Sequence, residues 1–224
     1  MSTLTTALDV KESEEPSSDK DTAFREAINA NARWVASELA DDLSDEKICS
    51  VINELALRGW DHNDDFGGWE STDEDRSHPL RRLPDKLFGH MVGETLAAGL
   101  SILGGHTDVH LNVHSAADLS FGVECKIARQ QRDSVYALNN LVGHQPVLFI
   151  GIPRSIQSGS VEPLLYAPIP MDKVEEMMGH SGREQGLTNL RLRAHSTSGA
   201  AGVAASHYTT DPEKVVEFFR TFIS

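Results

Sequence analysis

The sequence lacks the features that mark membrane, secreted and disulfide-stabilised proteins. No apolar run among its 224 residues reaches the roughly 18 residues that a membrane-spanning helix requires. Its N-terminus has neither the basic nor the apolar segment of a secretory signal. The two cysteines, Cys49 and Cys125, stand apart and without the clustered Cys and His residues of a zinc site. We therefore expect a cytoplasmic protein with reduced thiols and no membrane partner.

Lysine is scarce as well. Only seven of the 20 basic residues are Lys, and the 34 acidic residues give the chain a net charge of −14 and a pI near 5.0. Such a balance is typical of proteins that work in high salt, where screening removes the self-repulsion, but an ordinary acidic protein has it too. In both cases the overall charge argues against non-specific nucleic-acid binding. Contacts with phosphates would need a local basic patch or a bound metal.

The composition divides the chain into three parts. Residues 1–20 are polar and acidic, cannot bury a core and are predicted to be disordered. The region 21–84 carries two predicted helices, followed by a long acidic loop over 60–84. The region 85–224 is predicted to form an α/β domain, with its core motifs within 85–152. The predicted helices are 21–43, 44–59, 85–103, 130–142, 171–178 and 211–222.

Strict alternation of apolar and polar residues predicts the strands. The segments 109–113 and 119–127 alternate in this way, and 114–118 between them is predicted to be a short hairpin loop. The apolar run 146–152 and the alternating segment 188–194 predict two further strands. The order helix, hairpin, helix, strand indicates an α/β fold with a mixed central sheet flanked by helices.

The predicted hairpin brings three charged residues onto one face. If His114 and Asp118 close a three-residue loop, Asp108 lies directly across from Glu124, with their Cβ atoms about 4.5–5.5 Å apart. The apolar odd-numbered positions of both strands then face the core. Asp108, Glu124 and Lys126 project together from the opposite face.

This trio suggests a chemistry. Two adjacent carboxylates repel each other, and a divalent cation resolves that repulsion. Mg²⁺ takes oxygen ligands, commonly one or two carboxylates with waters and substrate phosphate. Lys126, on the same face, can orient or deprotonate an attacking water or stabilise the phosphate in the transition state. The pattern therefore predicts a phosphodiester hydrolysis site.

The motif Gly104-Gly-His-Thr-Asp108, followed after fifteen residues by Glu124-Cys-Lys126, resembles the PD-(D/E)XK nuclease superfamily of restriction endonucleases, Holliday-junction resolvases and related repair nucleases. The resemblance covers 85–152. It implies a restriction-endonuclease-like core and a Mg²⁺-dependent DNA endonuclease of the type II restriction class or a resolvase, acting as a homodimer, in which Mn²⁺ can replace Mg²⁺. It also implies Glu94 as an extra metal ligand and Gln130 as a residue that reaches the site from the following helix.

Arginines supply a candidate phosphate-binding rim, because the guanidinium group matches phosphate with a bidentate fork. Scattered solvated charge is the simpler explanation for any one of them. The candidates for DNA contacts are Arg129, Arg132, Arg154, Arg191 and Arg193, together with Arg81 and Arg82.

Three alternatives to the nuclease stay open. Glu124 and Lys126 alone could form an ordinary salt bridge along one strand. The chain could be a catalytically weakened DNA-binding or regulatory protein on the same fold. The row His106, Asp108 and His110 could instead bind a transition metal, because imidazole suits zinc, iron or nickel. In the predicted register His106 also lies across from Lys126, where it could carry a proton.

Overall fold

The two N-terminal helices of the computed structural model follow the predicted periodicity. Helix α1 is Asp19–Leu39 and helix α2 is Asp45–Asp61. Ser44 caps α2, because its Oγ accepts a hydrogen bond from the backbone N–H of Lys47 at 3.3 Å. Both predicted helices are confirmed, although α1 begins inside the segment predicted to be disordered. The structure describes residues 19–61, 80, 83, 87–106, 111–112, 118–119, 123–131, 135–141, 145–180 and 188–221.

The third helix has two parts. A π-helical segment, Phe88–Glu94, continues directly into helix α3, Thr95–Leu103. Gly104 ends the helix, and Gly105 follows with a φ of 103°, a backbone conformation that glycine adopts without strain. The predicted helix over 85–103 is confirmed. Most of the acidic loop predicted before it lies outside the described residues.

The described strands are β1 Leu111–Asn112, β2 Asp118–Leu119, β3 Val123–Arg129, β4 Val135–Leu141, β5 Val147–Ile152, β6 Leu165–Ile169 and β7 Thr188–Arg193. Five of them form a mixed central sheet in the order β1-β2-β3-β5-β6. The pairs β1–β2, β2–β3 and β5–β6 are antiparallel, and the pair β3–β5 is parallel. The described fold is therefore a mixed α/β structure with helices flanking a mixed sheet.

The predicted hairpin register is wrong. The segment 119–127 belongs to two strands, because β2 pairs antiparallel with β3, and the register partner of Glu124 is Asp118 rather than Asp108. Lys126 pairs with Phe149 on β5, not with His106. The apolar–polar alternation could not reveal that 119–127 contains two strands. The register partners Leu119 and Val123 are an even number of residues apart, so the odd-numbered apolar positions of β2 and β3 lie on the same face of the sheet and the alternation continues without a break.

The predicted helix over 130–142 is also wrong, since β4 occupies most of it. Strand β4 pairs antiparallel with β7 in a separate two-stranded sheet. Tyr136 and Leu138 are buried, and their partners in β7 are Leu192 and Leu190. A short apolar run fits a helix or a strand equally well, and here the distant partner strand decided which formed.

The C-terminal part adds one strand that was not predicted, β6, and three helices. A 3₁₀ turn, Ile156–Ser158, precedes β6, and Asp211 caps the last helix by accepting a hydrogen bond from the N–H of Glu213 at 3.0 Å. The predictions for 171–178, 188–194 and 211–222 are confirmed. The helices are α4 Met171–His180, α5 Gly199–Ala205 and α6 Pro212–Arg220.

The central sheet separates two hydrophobic cores. On one face, Cys125, Leu148 and Ile150 pack with the apolar sides of α1, α2, α3 and α6. On the other face, Val147 and Phe149 pack with the β4–β7 sheet and with α4 and α5. Because register partners share a face, Glu124 and Lys126 lie on the second face, next to Val147 and Phe149. None of the described helices is both long enough and apolar enough to cross a bilayer.

The three tyrosines make the fold sensitive to alkaline pH. Burial raises the pKa of Tyr136 to about 12, and it also raises the pKa values of Tyr166 and Tyr208 above their ordinary value of 10.0. As the pH rises, the unfolded state therefore loses its phenol protons at a lower pH than the folded state does. The protonated phenols contribute their full stabilisation of the folded state below pH 10, and this contribution is lost as the pH rises toward 12.

We expect the free energy of unfolding to fall between pH 10 and pH 12, and to fall less steeply in a Tyr136→Phe variant. Chemical denaturation at a series of pH values measures both slopes. Equal slopes for the two proteins would show that the Tyr136 phenol does not contribute.

Candidate functional site

The site begins with two side chains of β3 that point to the same face. Glu124 and Lys126 are two residues apart on the strand, and Lys126 Nζ lies 2.6 Å from Glu124 Oε1. The side chain of Glu124 is 1% exposed and that of Lys126 is 12% exposed. A carboxylate so deeply buried costs several kcal/mol in lost hydration unless a partner compensates it. The Lys126 ammonium group contributes to that compensation.

A cleft of about 350 Å³ opens beside this ion pair, with Lys126 in its wall. It lies between the end of β3, strand β4 and the 3₁₀ turn Ile156–Ser158. Its polar lining is Lys126, Arg129, Gln130, Gln131 and Gln157. Lys126 therefore belongs to the wall of the cleft, and Glu124 lies behind it as the buried partner of the ion pair.

Arg129 is held firmly in this wall. Its Nη2 donates a hydrogen bond to the backbone oxygen of Leu83 at 3.0 Å. Its guanidinium carbon lies 4.1 Å from the centre of the Phe88 ring, which is the geometry of a cation–π contact. Both contacts fix the position of the positive charge, so Arg129 can contact an anion in the cleft with little loss of side-chain entropy.

Gln130 lines the same cleft as Lys126, so the structure brings these two predicted site residues together. Gln130 comes from the end of β3 and not from the start of a helix as predicted. The side-chain Oε1 of Gln130 accepts a hydrogen bond from the backbone N–H of Arg154 at 3.0 Å, and the backbone N–H of Gln130 donates to the backbone oxygen of Ile152 at 2.8 Å. These bonds hold the side-chain amide in place.

Glu94 lies elsewhere. It is buried and pairs with His90, whose Nδ1 is 2.6 Å from Glu94 Oε1. The neighbouring Gly93 accepts a contact from the Cys125 thiol at 3.6 Å, which places this helix on the Cys125 face of β3. Burial, followed by the charge of Glu94, raises the pKa of that thiol. Glu94 therefore approaches β3 from the face opposite Glu124, and the structure does not unite these two predicted metal ligands.

The other predicted DNA contacts are spread out. Arg154 is exposed at the end of β5, and Arg191 and Arg193 are exposed on β7. Arg191 is the register partner of Ala137, which lines the cleft, so the outer face of the β4–β7 sheet adjoins the cavity. Asp108, His110, Arg81, Arg82 and Arg132 lie outside the described residues.

The chain matches no model of a known protein family, and no curated protein or solved structure is significantly similar to it.

The register reveals a residue that the sequence argument missed. Asp118 is the backbone partner of Glu124, so it is the acidic residue paired with the Glu-x-Lys strand. The missing information was that Leu119 and Val123 are register partners, and the local sequence signals for it are Ser120 and Gly122. Gln131 and Gln157 were also missed, because nothing in the sequence shows that 157 returns to the end of β3.

Oxygen ligands for a divalent cation are present only in part. Among the side chains that the structure describes, no group of three or more His, Cys, Asp or Glu residues is close enough to hold a metal ion. Glu124 is an oxygen donor of the type that Mg²⁺ prefers, and one or two carboxylates are enough when waters and phosphate complete the shell. Among the described side chains, Glu124 is therefore the one carboxylate of the predicted site that could contact such an ion.

His106, the first residue of the predicted histidine row, has a structural partner in α6. His106 Nε2 donates to the backbone oxygen of Phe219 at 3.1 Å, and its ring meets the Phe219 ring edge-on at 6.4 Å. A ring nitrogen that carries this proton cannot bind a metal at the same time. His106 therefore anchors α6 through that nitrogen.

Proposed function

We propose that this protein is a Mg²⁺-dependent DNA endonuclease, with Glu124 and Lys126 at its catalytic centre. The observation that carries the proposal is the ion pair between the buried Glu124 and Lys126, whose lysine lines a cleft together with Arg129 and Gln130. In a strongly acidic chain, this cleft is lined by two cations, Lys126 and Arg129, and by three glutamine amides. This local chemistry suits a phosphodiester, whose charge the overall surface would repel.

The topology supports a restriction-endonuclease-like core as part of the proposal. Helix α3 precedes a run of antiparallel strands, and the strand with Glu-x-Lys is parallel to the strand that follows by a crossover. The crossover departs from the expected core because it contains β4 where a helix was predicted. Homodimer formation, as in type II restriction endonucleases, and a cytoplasmic location remain part of the proposal.

Glu124, together with Asp108 or Asp118, would hold the metal ion. Bound there, Mg²⁺ supplies Lewis acidity and lowers the pKa of a coordinated water, and Mn²⁺ can do the same. Replacing Asp108 and Asp118 by Asn, one at a time, separates the motif assignment from the register assignment.

The cations of the cleft perform the remaining work on the substrate. The Lys126 ammonium group donates to a phosphate oxygen and offsets the charge that grows there as the phosphodiester is attacked. Arg129, already fixed against Phe88, binds a neighbouring phosphate oxygen. Gln130 directs its amide toward the cleft from a position fixed by Arg154.

Cleavage of plasmid and branched DNA, with Mg²⁺ and with a chelator, at low and at high salt, tests this proposal. We expect cleavage only with the metal, and a loss of at least ~100-fold in Lys126→Arg, because the larger, planar guanidinium group cannot place its donors where the compact ammonium group meets the phosphate oxygen. Lys126→Arg keeps the positive charge beside Glu124, so it should remain folded.

Lys173→Met is the matched control, because Lys173 pairs with Glu176 in an exposed Lys–Glu pair on α4. It should cleave as fast as the wild type. Full activity in Lys126→Arg, or cleavage that persists in the chelator, would contradict the proposal.

A catalytically weakened DNA-binding protein is the second candidate. The observation in its favour is the direct contact between Lys126 and Glu124, which occupies the carboxylate that a metal would need. Metal-independent DNA binding without any cleavage would support this candidate.

A further inference from the structure

The lining of the cleft beside Lys126 combines three kinds of side chain. Lys126 and Arg129, at the end of β3, supply positive charge. Phe88, Ile127, Ala128 and Leu138 supply apolar surface. Gln130, Gln131 and Gln157 supply amide groups. A simple phosphate site would need only the positive charge.

Two of the three amides are neighbours in the chain, and the third comes from a distant turn. Gln130 and Gln131 follow β3 directly, and Gln130 Oε1 accepts a hydrogen bond from the backbone N–H of Arg154 at 3.0 Å. The backbone N–H of Gln131 donates to the backbone oxygen of Val135 at 2.7 Å. Gln157 lies in the 3₁₀ turn Ile156–Ser158, which the fully buried Ile156 anchors to the core. The backbone positions from which the three amides reach the cleft are therefore fixed.

A nucleotide has the complementary set of surfaces. Its base has flat apolar faces and an edge of paired donors and acceptors, and its phosphate is an anion. One glutamine amide can form two hydrogen bonds with such an edge, as it does with N6 and N7 of adenine. The volume of about 350 Å³ is at the lower end of the range for small-molecule pockets, about 300–1,000 Å³. That volume suits one nucleotide rather than a base pair.

We infer that the cleft binds one unpaired nucleobase next to the scissile phosphate, with Gln131 and Gln157 determining its specificity. The inference rests on the proposed function for its substrate, DNA. An enzyme of this kind pays to unstack the base, and the cost is least where the base is already unpaired. The preferred substrates are therefore single strands, bulges and branched junctions rather than uninterrupted duplex.

The test uses the full chain and a set of oligonucleotides that differ only in whether one nucleotide is unpaired and in which base it carries. The wild type should cleave the unpaired substrates at least ~10-fold faster than the duplex. Gln131→Ala and Gln157→Ala should each reduce the preference among bases several-fold. Gln145→Ala, an amide outside the cleft, is the matched control and should keep both preferences.

Binding without metal provides a second measurement, with a fluorescent adenine analogue at the unpaired position. Cleavage of duplex and unpaired DNA at equal rates, with no effect of the Gln131 and Gln157 substitutions, would overturn the inference and leave the proposed nuclease intact. Binding that depends on Gln157, without cleavage in Mg²⁺, would support the nucleobase pocket and overturn the nuclease. The two proposals can therefore fail separately.

Discussion

Replacing Lys126 by Met is expected to lower the free energy of unfolding by up to about 5 kcal/mol at neutral pH, because the change removes the ammonium group that lies 2.6 Å from the buried Glu124 carboxylate. Met keeps most of the length and apolar stem of Lys, so little packing is lost. Chemical denaturation of both proteins, followed by circular dichroism, measures the difference.

A double variant separates the charge from the packing. Glu124→Gln combined with Lys126→Met removes both charges together, and it should regain most of the lost stability. Lys173→Met, in the exposed pair with Glu176, should leave the free energy of unfolding nearly unchanged. A double variant as unstable as the Lys126→Met single variant would show that the ion pair is not the cause.

The second large effect is expected for Gly93→Ala. A Cβ atom at this position would lie 2.4 Å from Ile127 Cγ2 and 2.7 Å from Ile127 Cβ, which is far inside van der Waals contact. Branched Ile127 cannot move away without shifting β3, so we expect a loss of about 1–3 kcal/mol in the free energy of unfolding. Ile127 follows Lys126 directly, so the same shift should also slow cleavage.

Gly89→Ala is the matched control in the same π-helical segment. A Cβ atom there meets nothing within 4 Å, so the variant should be as stable as the wild type or more stable by up to about 1 kcal/mol. Thermal and chemical denaturation of the two variants can be compared directly. Similar stability of both would contradict the close helix–strand contact at Gly93.

Secondary-structure elements whose own sequence carries the complete signal were predicted well. Helices α2 and α3 have their own apolar periodicity and boundary residues, Ser44 before one and Gly104 after the other. Strand β5 has six consecutive buried residues. The errors fall where a partner decides. Strand β4 became a strand because β7, about fifty residues later, offered a matching edge.

The candidate site was predicted in the same uneven way. Glu124 and Lys126 came from a local motif, and the structure joins them in an ion pair. The carboxylate opposite Glu124 depended on the register, and an unrecognised turn moved that position from Asp108 to Asp118. Gln157 could not be predicted, because a 3₁₀ turn far along the chain carries it to the end of β3.

One residue of β3 remains between the two that form the ion pair. Cys125 points into the helical core, fully shielded from water, and burial raises the pKa of its thiol. A reagent can reach the sulfur only after β3 separates from the helix with Gly93. The rate at which Cys125 is alkylated therefore measures how often the strand opens, and each opening also disturbs the Glu124–Lys126 ion pair. Cys125 therefore serves as a built-in chemical probe for the local opening of β3.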